Sequence, residues 1–421
     1  MSHLAKKEPK TFFASCPIGL ELLLDSELKE SGIKMRNLHK GGVEFITSHL
    51  EGIKFLATTT LASRVYIRIT AFEFSNTDEF YDNIKNQWWH LTIPNNQTFK
   101  ISTLFDLKSK YTFNNSMFFS LKAKDAIADE IQEKKGERPS VNKDNPDYSL
   151  LIRIEEKKHG KGSGETFFAM VYLDLTYAPL SDRGIRRLAS QHDHSKHEAP
   201  LRENLAQGII RFTEWKPGEE IFADLTCGSG TVLVEAIYYA AKLPGSFINL
   251  KDYLYNREMP WAFLNHAWWK ELKLESEFIN WARTQVDEAE DRLKKLPTDM
   301  LIGNDINGKY LEMTKRAIKT LGVFSIIKLQ KEDIKMAKLQ TENKGVVFFN
   351  PPYGKRLNQE DDLGELYFQL GENLKSNFKG NRAYVLTSES QLRKQINLRT
   401  SQRIEMKNGN LDCRLLFYKL Y

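Results

Sequence analysis

At 421 residues the chain is longer than one hydrophobic core usually organises, and its 41% hydrophobic content is that of an ordinary globular protein, so two or three domains are expected. A net charge of +6, from 61 basic against 55 acidic residues, is too mild to announce a nucleic-acid partner by itself. The absence of any run of roughly eighteen apolar residues excludes a membrane-spanning helix, and three scattered cysteines, Cys16, Cys227 and Cys413, exclude a disulfide framework and a CxxC zinc site. The lysine-rich start has no apolar signal core behind it, so a soluble, cytoplasmic protein is expected.

The first segment alternates strand and helix patterns. Residues 12–16 read as extended, 17–31 as a helix, two strands flank Gly41-Gly42, 49–62 form a helix, and the β-branched and aromatic run 64–74 a strand. That order, βαββαβ, is the ferredoxin-like arrangement. A second small α+β unit follows: a helix near 77–90, a strand at 99–104, and a long helix at 115–135. In that helix Phe118, Leu121, Ala126, Ile127 and Ile131 recur at roughly helical spacing. Strands at 149–155 and 166–175 complete the unit, separated by a glycine-rich turn at 159–164.

Residues 181–200 are polar and read as a linker. His192, His194 and His197 lie in it, but no cysteine or acidic cluster completes a zinc site, so no metal is expected. Beyond it strands and helices alternate: 220–225, 231–242, 300–304, 309–321, 326–330, 345–350, 364–378 and 382–387, the pattern of a doubly wound parallel sheet. The strands 402–407 and 411–419 flank Asn408-Gly409-Asn410, a hairpin signal that closes the sheet antiparallel. Between Lys375 and Tyr421 ten basic residues face three acidic ones, which suits either a solvated face or a phosphate-contacting surface. The tryptophans 88, 89, 261, 268, 269 and 281 read as core or insert residues rather than base-stacking ones.

Three motifs carry chemistry. In Asp224-Leu225-Thr226-Cys227-Gly228-Ser229-Gly230 a strand runs into a glycine turn and then a helix; missing Cβ atoms at Gly228 and Gly230 admit a ligand near backbone, and helix N–H groups suit an anionic group. Such turns also serve nicotinamide and flavin cofactors. Asp305, after the next strand, can accept from ribose hydroxyls, and Asp333, after the third, from an adenine amino group; either could instead cap a helix. Asn350-Pro351-Pro352-Tyr353 follows the buried run Val346-Val347-Phe348-Phe349. Its prolines stiffen the backbone, so the Asn350 side-chain oxygen and the Pro351 carbonyl can both accept from an exocyclic –NH2, turning its lone pair toward a methyl donor while Tyr353 stacks on the base. Together the motifs predict an S-adenosyl-L-methionine-dependent methyltransferase acting on a planar nitrogen, with Thr226 among the residues of the cofactor loop.

The chain resembles the RlmL-type 23S rRNA guanine-N2 methyltransferases. The resemblance covers nearly the whole length and rests on Phe13-Ala14-Ser15 with Gly19-Leu20-Glu21, Lys124-Asp125-Ala126-Ile127, Arg183-Gly184-Ile185-Arg186, Ala199-Pro200-Leu201-Arg202-Glu203-Asn204-Leu205-Ala206, the three motifs above, and Lys407-Asn408-Gly409 with Leu411-Asp412-Cys413. It implies an N-terminal ferredoxin-like domain (1–75), a THUMP RNA-binding domain (76–187), a linker (188–199) and a Rossmann-like methyltransferase domain (200–421). It further implies Glu203 and Asn204 beside the methionine part of the cofactor, and RNA contacts from Lys124, Arg183, Arg186 and Arg187. Two departures stand out: the family usually has proline where this chain has Leu225, and some members carry a second methyltransferase domain after the hairpin, whose activity is not expected here. Competing readings are the same chemistry on tRNA, N6-adenine methylation of DNA, which the THUMP-like half disfavours, and a non-catalytic RNA-binding assembly factor.

Overall fold

The computed structural model describes residues 3–94, 96–106, 115–157, 166–185, 201–339, 341–352 and 360–421. The strands form two seven-stranded sheets. In the first, β1 (Lys10–Ser15), β2 (Met35–His39), β3 (Gly42–Thr47) and β4 (Arg64–Phe74) lie in the order β2-β3-β1-β4, all antiparallel, with helices Glu21–Glu30 and His49–Thr58 in the expected βαββαβ succession. Ser48 caps the second helix, its side chain accepting from the Glu51 amide.

The second unit does not build a separate sheet. β5 (Phe99–Asp106), β6 (Tyr148–Glu156) and β7 (Phe167–Asp174) continue the first one as β4-β7-β6-β5. The cause is length: β4 has eleven residues and β1 six, so β4 pairs β1 only over 64–67 but pairs β7 from Tyr66 to Phe74. Helix Ser116–Lys135 starts on an Asn115 cap and ends at Gly136, whose φ of 77° permits the left-handed C-cap. It buries Phe119, Ala123, Ala126, Ile127 and Ile131; Phe118 and Leu121, expected on that face, are exposed, because the inward stripe runs through positions 119 and 123 instead.

The second sheet contains β8 (Ile221–Asp224), β9 (Leu301–Asn304), β10 (Ile327–Gln330), β11 (Gly345–Phe349), β12 (Arg382–Thr387), β13 (Gln402–Asn408) and β14 (Leu411–Lys419) in the order β10-β9-β8-β11-β12-β14-β13. All pairs are parallel except those of β14, which inserts antiparallel between β12 and β13. β11 is buried along its whole length, as a strand covered on both faces must be. Strand order reverses between β8 and β11, so their carboxyl ends open a crevice. This is the Rossmann-like methyltransferase arrangement with its closing hairpin.

Two features were not legible in the strand-and-helix pattern. Helix Glu203–Phe212 precedes β8, and an insert between helix Thr231–Ala240 and β9 holds the helices Ala267–Leu272 and Glu275–Lys294 around Trp261, Phe263, Trp268, Trp269 and Phe278. The insert is mortar between the halves. His266 stacks on Tyr148 with ring centroids 4.3 Å apart, Trp268 meets His49, and the Gly245 and Ser246 amides donate to the Thr58 and Ala57 carbonyls. A Cβ at Gly245 would lie 1.8 Å from the Thr59 carbonyl oxygen, so only glycine allows this approach. Of the tryptophans, 89, 261, 268 and 269 are buried, whereas Trp88 is exposed.

The halves also meet at the buried carboxylate of Glu27. It accepts from Thr59 Oγ1 at 2.5 Å, from the Thr60 amide and hydroxyl at 2.8 and 2.6 Å, and from Arg211 Nη2 of helix Glu203–Phe212 at 3.1 Å. Among the described residues no helix is long and apolar enough to cross a membrane. His192, His194 and His197 lie outside the described residues. The Leu61 amide adds a fifth donor at 3.4 Å, so replacing Glu27 by Ala strips five donors of their acceptor and is expected to cost about 2–3 kcal/mol, read as a lower denaturant midpoint with the far-ultraviolet spectrum of the folded state unchanged.

Candidate functional site

The three motifs converge at the carboxyl ends of β8, β9, β10 and β11. Asp224 ends β8 and is 2% exposed, its Oδ1 accepting from the Thr226 amide at 3.2 Å. Burial pushes its carboxyl up to about 8, the Thr226 N–H opposing the rise and the Asp305 charge adding to it. Thr226 in turn accepts from the Asn350 amide at 2.6 Å, which ties the glycine loop to the start of Asn350-Pro351-Pro352. The Leu225 amide donates to the Phe348 carbonyl at 3.0 Å, a bond that proline at this position cannot make.

The glycines divide their labour. Gly228 has φ 52°, and a Cβ built there meets nothing within 4 Å, so open space lies in front of it. Gly230 has φ 83°, but a Cβ there would fall 2.7 Å from the Thr314 side chain. Its missing side chain therefore makes room for the helix Gly308–Thr320. Thr314 Oγ1 also donates to the Gly228 carbonyl at 2.9 Å, holding the loop from beneath.

Asp305 is half-buried. Its Oδ2 accepts from the Gly228 amide at 2.9 Å and its Oδ1 from the Asn307 amide at 2.8 Å, leaving each carboxylate oxygen a lone pair for a further donor. The neighbouring Ile306 is 63% exposed, an apolar surface at the same edge. Asp333 is half-buried and its Oδ1 accepts from the Lys335 amide. Asn304, which the sequence reading passed over, is 1% exposed and joins three strand ends: its Nδ2 donates to the Leu225 and Glu332 carbonyls and its Oδ1 accepts from the Glu332 amide. The signal was available, since a polar residue closes the apolar strand Leu301-Ile302-Gly303. At the end of β11 the Asn350 side-chain oxygen is buried and has no hydrogen-bond partner among the described residues. Pro351 is buried and Pro352 half-buried, and Tyr353 lies outside the described residues.

A family model described as "RMKL-like, methyltransferase domain" matches residues 191–416, more than half of the chain. The chain belongs to this methyltransferase family. Models of the THUMP domain and of the RlmL ferredoxin-like domain match residues 74–160 and 11–66. The Ribosomal RNA large subunit methyltransferase K/L of Buchnera aphidicola subsp. Acyrthosiphon pisum is 29% identical over 421 residues, covering 97% of this chain and 54% of its own length. The chain thus spans about half the length of the curated relatives it matches. Among solved structures, a possible methylase from Clostridium difficile 630 superposes with a TM-score of 0.77 at 24% identity, covering 98% of this chain and 99% of that one. SMU.472, solved in complex with SAH, gives 0.74 at 22% identity, covering 99% of each. These likenesses show the same fold.

Within this RMKL-like frame, Asn204 and Arg183 lie where the two halves meet. Asn204 is fully buried and its Nδ2 donates to the Leu61 carbonyl and Ser63 Oγ at 3.3 and 2.9 Å, so this end of its amide joins the two halves, while its Oδ1 is buried without a partner among the described residues. Glu203, at the start of the same helix, lies close enough to Arg183 and Tyr238 to perturb both electrostatically. Arg183 is 2% exposed and ion-paired with Glu235, so it cannot reach RNA. Burial works against its charge, but the Glu235 carboxylate outweighs that and raises the guanidinium above its ordinary range. Lys124 is partly exposed beside Asp125, and Arg186 and Arg187 lie outside the described residues. In the basic C-terminal segment Lys375, Arg382, Lys407 and Arg414 are paired with Glu372, Glu220, Asp412 and Glu405.

The raised Asp224 carboxyl has a consequence for stability. The folded protein retains a proton that the unfolded chain releases near pH 4, so this contribution is full below pH 4 and is lost as pH rises through about 8. Asp224→Asn, which keeps an acceptor for Thr226, removes the dependence. The melting temperature of ligand-free Asp224→Asn minus that of the parent should climb between pH 4 and 8 and then level; a flat difference refutes the assignment.

Proposed function

We propose that the chain is an S-adenosyl-L-methionine-dependent RNA methyltransferase that modifies the exocyclic N2 amine of a guanosine in 23S rRNA, acting in the cytoplasm. The observation that carries this reading is the buried Asn350 oxygen, unpartnered among the described residues, at the crevice beside the Gly228 loop. Its place at the crevice is what distinguishes it: an acceptor left over there is available to a donor that a ligand brings.

The residues present fit the cofactor. The space before Gly228 receives its methionine part, the remaining Asp305 lone pairs its ribose hydroxyls, Ile306 the face of its adenine and Asp333 the adenine amino group. SMU.472, of the same fold, binds SAH at a comparable level of overall similarity. Once bound, S-adenosyl-L-methionine supplies an already activated methyl group. The work left to the protein is positioning.

Asn350 Oδ1 accepts one N–H of the target amine and the Pro351 carbonyl the other, which fixes the nitrogen and directs its lone pair at the methyl group. Thr226 keeps this geometry by anchoring the Asn350 amide. Tyr353 stacks on the base, which is flipped out of its RNA context to reach the crevice. No general base is required before transfer, because the amine becomes acidic as it is methylated and its proton passes to water. The relatives named for ribosomal RNA large subunit methylation and the THUMP match support RNA as the polymer, with Lys124, Arg186 and Arg187 as proposed contacts.

Asn350→Ala is expected to lower methyl transfer roughly a hundredfold or more, with RNA affinity within about twofold of the parent. The check is radiolabelled transfer to 23S rRNA from cells lacking the gene, followed by digestion to nucleosides. Label in N2-methylguanosine supports the reading. Label in N6-methyladenine, acceptance by tRNA in place of rRNA, or retained turnover of the variant overturns the corresponding part.

A further inference from the structure

The Arg183 guanidinium gathers four separate segments. Nε and Nη2 span the Glu235 carboxylate at 3.0 and 3.2 Å, Nη2 also donates to the Thr60 carbonyl at 2.6 Å, and Nη1 to the carbonyls of Leu180 and Gly245 at 3.0 and 3.4 Å. Thr60 lies just before β4 and Leu180 follows β7, both in the N-terminal half; Gly245 opens the insert; Glu235 sits on helix Thr231–Ala240. The pair is shut away from water, the side chains being 1% and 0% exposed.

Stability is a poor reason for such a pair. Removing two charges from water costs several kcal/mol each, and well-packed apolar side chains often do as well. What an apolar contact lacks is a unique geometry, and a planar guanidinium bound at three edges has one. Its position gives that geometry a use. Glu235 lies five residues after Gly230, or about 7 Å along a helix that grows directly out of the cofactor loop. Gln207 grips the Glu235 carbonyl from helix Glu203–Phe212 at 2.7 Å, so the same turn is held on two sides.

We propose that Arg183 and Glu235 are positioning residues: they fix the methyltransferase domain at one orientation to the RNA-holding half, so that a guanosine presented by bound RNA arrives in register with Asn350. The proposal rests on the reading of the site as an RNA methyltransferase. Neither residue touches cofactor or RNA. Loss of the pair therefore leaves both binding steps intact and lowers the fraction of bound complexes with correct alignment, and a misplacement near 1 Å suffices for a large loss of rate.

The test replaces both at once, Arg183→Met with Glu235→Leu, so that no buried charge is stranded. Two measurements are made on the full chain. In the first, steady-state methylation of 23S rRNA should show kcat reduced roughly tenfold or more with KM for RNA and for cofactor unchanged. In the second, spin labels on cysteines introduced at the exposed Ser26 and Lys319 should report a broadened inter-domain distance distribution; the native Cys16, Cys227 and Cys413 are buried. A double variant with parental kcat and a parental, narrow distribution overturns the proposal. So does one that only melts earlier, since a merely stabilising pair would move neither readout in the folded protein. Should the double variant not fold, Arg183→Lys keeps the charge but cannot span carboxylate and carbonyls together, and carries the same measurements. If the parent itself transfers nothing to rRNA, the functional reading fails while the distance measurement still decides the positioning role.

Discussion

A hydrogen bond of 2.6 Å from the Asn350 amide to the Thr226 hydroxyl joins two loops that are 124 residues apart in sequence. It exists because β8 and β11 lie side by side and parallel at the point where strand order reverses. The pairing continues past the strand ends through the Leu225 amide and the Phe348 carbonyl. Leucine in place of the family's proline adds that donor, so the departure tightens the junction. From it follow the positions of Gly228, facing open space, and of Asn350, with its side-chain oxygen buried and unpartnered among the described residues. Asp305 and Asn304, arriving on β9, complete the edge by holding Gly228 and the Leu225 carbonyl.

The remainder of the molecule fixes what is delivered to that edge. β4 fuses the ferredoxin-like and THUMP units into one continuous sheet. Their attachment to the second sheet includes a polar seam: Glu27 with Thr59, Thr60 and Arg211, Asn204 with Leu61 and Ser63, Arg183 with Glu235 and three carbonyls. The aromatic insert around Trp261, Trp268 and Trp269 provides the apolar burial that a polar seam alone lacks. Apolar area gives cohesion without direction, and the buried hydrogen bonds supply direction.

The sequence reading succeeded where the information is local. Strands β4, β12 and β14 match their expected bounds, and β13 ends one residue later than expected, because period-two patterning, a continuous apolar run and an Asn-Gly turn are set by neighbouring residues. It failed where a residue's role depends on what folds against it. Gly230 and Gly228 look alike in the motif, yet one yields to Thr314 and the other faces open space. Arg183, in a polar basic stretch, resembles a surface cation until Glu235 is found against it. Phe118 and Leu121 fit a helical stripe as well as Phe119 and Ala123 do, and only packing against the sheet chose between them.

By itself, then, the sequence determined the order of elements, the parallel α/β class and the chemistry available at each strand end, since secondary structure and side-chain functional groups are properties of short segments. Only the tertiary structure decided which groups meet. That Asp224 is a buried floor whose carboxyl burial pushes upward, that Asn350 keeps an acceptor unpartnered among the described residues, and that Asn204 and Arg183 belong to the seam are consequences of burial and of partners far away in sequence, for which no local pattern exists.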